Sequence, residues 1–97
     1  MDENHAEIVS VLRRCCSVVS TAGVGNGFPD LVVGFRNVTH LLEIKDGKKK
    51  PSKRRLTDDE STWHARWQGE RVYIVESVRD ADALVRTWAK HAATPRG

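Results

Sequence analysis

Two short apolar runs joined by a two-residue link constrain this chain more than any other feature. Asp30 to Phe35 reads DLVVGF and Val38 to Lys45 reads VTHLLEIK, with only Arg36 and Asn37 between them. Apolar, β-branched runs of this length so close together predict an antiparallel β-hairpin. A lone hairpin is marginal in water, so its strands must find further strands or helices to pack against. Alternation along the second strand puts Leu41, Glu43 and Lys45 on one face and Leu42 and Ile44 on the other.

The flanking segments supply those partners. Residues 3–14, ENHAEIVSVLRR, place Ile8, Val11 and Leu12 at helical spacing. Acids fall in the first turn of that helix, and Arg13 and Arg14 in its last, as the helix dipole favours. The run CCSVVST suits a short strand, and residues 22–29, with three glycines and a proline, predict a turn before Asp30. Thr57-Asp58-Asp59-Glu60 is a capping-box signature opening a second helix. That helix carries Trp63 and Trp67 one turn apart and is expected to stop at Gln68-Gly69. Arg71 to Val75 reads as a fourth strand. Ser77 to Asp80 then caps a last helix carrying Ala81, Leu84, Val85 and Trp88. The order α-β-β-β-α-β-α predicts an α/β fold, a mixed β-sheet flanked by helices.

Ninety-seven residues suit one domain spanning 1–97. A chain this short buries only about 60–65% of its unfolded surface, which favours a homodimer. Cys15 and Cys16 are adjacent and form no CxxC pair. They read as reduced, small apolar residues at the edge of a core. With neither a signal-peptide pattern nor an apolar run near ~20 residues, the expectation is a soluble cytoplasmic protein without membrane contact. Net charge is +3, but residues 46–55, DGKKKPSKRR, carry +5 and the remainder −2. Such a cluster fits a phosphate-binding patch and a solvated loop equally well.

Charges closing apolar strands need an explanation, because folding must leave them solvated or paired. Pairing across the hairpin turn brings Asp30, at the start of one strand, beside Glu43 and Lys45 at the end of the next. Two neighbouring carboxylates repel unless a cation lies between them, and such oxygen ligands suit Mg²⁺ or Mn²⁺. A lysine beside them could hold or deprotonate the attacking water, or offset charge on a phosphate. An ordinary surface ion pair among the three residues fits the spacing too. His40 falls on the strand face opposite Glu43 and reads as packed or exposed. His64 reads as structural. The Trp63–Trp67 pair reads as core or dimer interface in preference to a base-stacking surface.

Gly27-Phe28-Pro29-Asp30-Leu31-Val32-Val33-Gly34 followed by Leu42-Glu43-Ile44-Lys45 resembles the PD-(D/E)XK nuclease signature. The Lys-rich loop, Leu56-Thr57, Glu60 and a glycine before the last strand narrow the resemblance to the VRR-NUC domain in its stand-alone form, over roughly residues 5–76. This resemblance implies a restriction-endonuclease-like fold and a metal-dependent endonuclease acting on DNA. Asp30 and Glu43 would be metal ligands, the Ile44 carbonyl a third, and Lys45 the catalytic lysine. Glu7, on the first helix, falls where resolvase-like relatives place a further acidic ligand, with Glu3 a competitor and an exposed helix acid the alternative. Members often carry glutamine where this chain has Glu60, which here would bind metal through water or cap the helix. Lys48, Lys49, Lys50, Lys53, Arg54 and Arg55 would grip backbone phosphates. The resemblance implies Mg²⁺ or Mn²⁺, no organic cofactor, and a homodimer cutting branched DNA such as a Holliday junction. Flap, nicking or single-strand cleavage, an RNA substrate, and a non-catalytic DNA-binding module are the other expectations to weigh.

Overall fold

The hairpin forms, and its turn shows why two residues suffice. In the computed structural model, which describes residues 4–92, Arg36 and Asn37 both take left-handed backbone angles, φ 48° and 69°. Those angles match the primed turn whose twist suits flanking strands. The elements are α1 (His5–Leu12), β1 (Ser17–Ser20), β2 (Leu31–Phe35), β3 (Val38–Ile44), a 3-10 turn (Pro51–Lys53), α2 (Asp58–Arg66), β4 (Tyr73–Val75) and α3 (Val78–Ala92). Glu3 and the tail 93–97 lie outside the described residues. The architecture is α/β, a four-stranded mixed sheet flanked by helices.

The sheet runs in the order β1-β2-β3-β4. β1, β2 and β3 form an antiparallel meander, and β4 joins β3 in parallel after the α2 crossover. Leu31, Val33 and Phe35 on β2, with Leu42 and Ile44 on β3 and Val75 on β4, bury one face. α1 and α3 cover that face with Ile8, Leu12, Ala81 and Trp88. The Asn4 side-chain amide donates to the carbonyls of Lys45 and Glu76, at 3.1 and 3.0 Å, pinning the start of α1 to the ends of β3 and β4. α2 lies over the opposite face, which carries Val32, Leu41 and Glu43, and none of its residues is fully buried.

Some local expectations change and others hold. Arg13 is the C-cap of α1 and Arg14 lies beyond it, because the chain turns at Leu12, whose carbonyl accepts the Cys15 and Cys16 amides. Both cysteines are free. Cys16 packs against the core while Cys15 is exposed. The Cys16 thiol is pushed up to about 12 by burial and by its Cys15 neighbour. His40 is buried, with its ring stacked 3.8 Å from Trp88 and Nδ1 2.6 Å from a Glu70 carboxylate oxygen. α2 stops at Arg66, with Trp67 already extended. Gly69 is not its left-handed terminator. A Cβ there would strike the Trp67 indole, so the glycine leaves room for that ring.

Candidate active site

The β2–β3 register that pairs Leu31 with Leu42, continued by one residue, sets Asp30 opposite Glu43. The segment before Asp30 is tied down on both sides. Thr21 donates its amide to the Asp30 carbonyl and its hydroxyl to the Pro29 carbonyl, both at 2.7 Å. Asp30 Oδ2 accepts the Ile44 amide at 2.8 Å, so the carboxylate is fixed against β3.

Glu43 is fully buried. Burial, then the hydrogen-bonded and charged neighbour Asp30, then Glu60, push its pKa up to about 10. One carboxyl oxygen, Oε1, lies 3.1 Å from His64 Nε2. The other, Oε2, is buried and accepts from no protein donor; the groups that reach this carboxyl are the Asp30 and Glu60 side chains. An unpaired buried polar atom costs roughly 1–3 kcal/mol and asks for a reason.

Lys45 closes the strand on the same face. Its Nζ donates to Glu60 Oε1 at 2.7 Å, with the two side chains only 12% and 16% exposed. Burial alone would lower the lysine's pKa. The Glu60 hydrogen bond and the charges of Glu60, Glu43 and Asp30 outweigh it and raise the value. Glu60 moves the other way. Burial works against its charge, but the bonds from Lys45 and from the Thr57 amide hold its pKa below the ordinary range. Glu60 is therefore both the N3 residue of the α2 capping box and the anchor of Lys45.

Sequence reasoning passed over His64. It belongs to this cluster, and burial and the Lys45 charge pull its pKa down against the opposing pull of Glu60. The available signal was its spacing, since Glu60 and His64 are four apart and so share a helix face.

Glu7 does not join the cluster. Ile8 and Leu12 bury α1 against the sheet face opposite Glu43, and exposed Glu7 lines a separate groove of about 470 Å³ with Asp46, Lys48, Arg54 and Glu76. Among the described residues, no group of three or more His, Cys, Asp or Glu side chains is arranged to hold a metal ion. What a divalent cation would meet is a pair of side chains, Asp30 and Glu43. Their chemistry fits one, because adjacent carboxylates with an unpartnered oxygen are relieved by a hard cation.

The basic loop leaves from this end of β3. Lys48, Lys49, Lys50, Lys53 and Arg55 are exposed, whereas Arg54 is half-buried and donates to Glu76 at 3.1 Å. No described helix is long and apolar enough to cross a membrane. Comparison with protein families, curated proteins and solved structures found no match to the chain.

Proposed function

We propose that this chain is a divalent-metal-dependent endodeoxyribonuclease with a restriction-endonuclease-like fold of the stand-alone VRR-NUC type, acting on branched DNA as a homodimer. The observation that carries the reading is the juxtaposition of Asp30, buried Glu43 with its unpartnered Oε2, and Lys45 at one strand end. Mg²⁺ or Mn²⁺ held by Asp30 and Glu43, with the Ile44 carbonyl as a candidate third ligand, supplies Lewis acidity toward water and phosphate.

The chain's own groups divide the remaining work. The Ile44 amide fixes Asp30, and His64 holds one oxygen of Glu43, leaving the other without a protein donor. Lys45 keeps its proton, because Glu60 raises its affinity for one. As a cation it is suited to orient the attacking water and to offset phosphate charge. Lys48, Lys49, Lys50, Lys53 and Arg55 grip the phosphate backbone without reading sequence, and Arg54 contributes least because Glu76 holds it.

Cleavage of a four-way junction, a flap and a linear duplex with Mg²⁺ or Mn²⁺, by wild type and Lys45→Ala, tests this reading. Paired symmetric nicks on the junction are expected from wild type. Lys45→Ala should lose at least about 100-fold in rate, the scale of one lost electrostatic donor, while binding junction nearly as well. Flap cutting without junction cutting would replace the resolvase reading. No metal-dependent cutting of any substrate would leave a DNA-binding module.

A further inference from the structure

Trp63 on α2 and Trp67, the residue that caps its end, are both left unburied. Trp67 is 45% exposed and Trp63 half-buried. Their rings stack at 4.8 Å with an angle of 17° between planes, and Phe28 meets Trp63 edge-on at 5.1 Å. Large aromatic rings ordinarily dominate a core, so rings left this open call for an occupant. The room is built into the chain. Gly27 has φ 84°, and a Cβ there would overlap the Asp59 carbonyl, so the glycine loop seats directly on the first turn of α2. Gly69 leaves space for the Trp67 indole.

The rings wall a cleft of about 320 Å³ whose other lining groups are Asn26, Asp59, Thr62 and Arg66. That volume lies within the ~300–1,000 Å³ of small-molecule sites. A stacked pair of indoles beside amide, hydroxyl, carboxylate and guanidinium groups suits a nucleobase, which has a π-face and a hydrogen-bonding edge. An apolar protein segment would cover those polar groups without pairing them. The cleft also adjoins the active site. Trp63 precedes His64, with ring centres 6.4 Å apart, and Phe28 stands two residues before Asp30.

We propose that Trp67 and Trp63 form a binding cleft for an unpaired DNA base next to the scissile phosphate, so that the enzyme takes strands with at least one unstacked nucleotide. The strand's path rests on the nuclease reading; the cleft itself is open to test without cleavage. In metal-free buffer, binding of a thymidine oligonucleotide of roughly eight residues is followed by tryptophan fluorescence and by anisotropy. An abasic oligonucleotide of the same length and charge serves as the control. Wild type should bind the base-bearing strand about tenfold more tightly than the abasic one, with quenched fluorescence. Trp67→Ala should bind both at the abasic affinity, and Trp67→Phe should restore part of the difference, each with a native circular-dichroism spectrum. Equal affinity of wild type for the two strands overturns the proposal, as does a preference retained in folded Trp67→Ala. If Trp67→Ala does not fold, Trp67→Phe against wild type decides, by whether the preference shrinks. Metal-dependent cleavage measured alongside separates the two readings, since cutting without base preference sinks the cleft alone, and base preference without cutting sinks the nuclease alone.

Discussion

Among the described carboxyl groups Glu43 has the largest pKa displacement, and that displacement sets a pH dependence. Its pKa rises from 4.5 in an unfolded chain to about 10 in the folded one. Between those values the unfolded state has released a proton that the folded state retains. This contribution to stability is therefore complete below about pH 4.5 and drains away as pH climbs toward 10. Glu43→Gln keeps the shape and removes the titration. In chelator, the variant should melt above wild type near pH 8 and close to it near pH 4, and a gain of 1 kcal/mol would show as about 4–8 °C. Added Mg²⁺ should raise the wild-type midpoint and leave that of the variant unchanged. Glu60 gives a second test at a single side chain. Glu60→Ala removes half of the α2 capping box as well as the Lys45 partner, and should cost about 1 kcal/mol by urea denaturation. Glu60→Gln should retain most of the stability, since the amide oxygen still accepts the Thr57 amide.

The turns and the α2 seat carry their own consequences. Arg36 occupies a left-handed position that costs a side-chain-bearing residue roughly 1–2 kcal/mol. Replacing Arg36-Asn37 by Asn-Gly, the pair this turn prefers, should stabilise the chain by about 1 kcal/mol in the same denaturation experiment. The cation–π contact of Arg36 with Phe35, at 5.0 Å, offsets part of that gain. Gly27→Ala acts in the opposite direction. It places a Cβ at positive φ and against the Asp59 backbone, so it should cost at least ~2 kcal/mol. Because α2 also carries Glu60 and His64, cleavage should fall with it. That the glycine-rich run turns was readable from composition. That Gly27 seats a helix thirty residues further on was not, because the close approach belongs to the packing of two distant segments.

Charge is distributed unevenly over the molecule, and DNA binding should follow that unevenness. The loop 46–55 holds a net +5 against −2 for the rest. Replacing Lys48, Lys50, Lys53 and Arg55 by alanine should weaken binding to every DNA tested. The slope of log affinity against log salt should become shallower by about 0.9 for each phosphate no longer neutralised. Arg54→Ala should act differently, lowering stability more than affinity, because its guanidinium is spent on Glu76. Light scattering addresses the expected homodimer, with a solution mass twice the 10.9 kDa of one chain.

The hairpin, the α2 capping box, the Ser77 cap of α3 and the meeting of Asp30, Glu43 and Lys45 were all legible in the sequence. Each rests on local rules: strand alternation, a two-residue link, and a cap read over four residues. What the sequence left open was the surroundings of each charge. Glu43 as a buried, unpartnered acid, Glu60 as the anchor of Lys45, His64 as a neighbour of Glu43, and the separation of Glu7 all depend on where α1 and α2 come to rest on the sheet. The same holds for Trp67, read as core or dimer interface and found outside the core of the single chain. Burial and contact across fifteen or more residues arise from the packing of helices on opposite faces. Neither periodicity nor spacing along the chain encodes them.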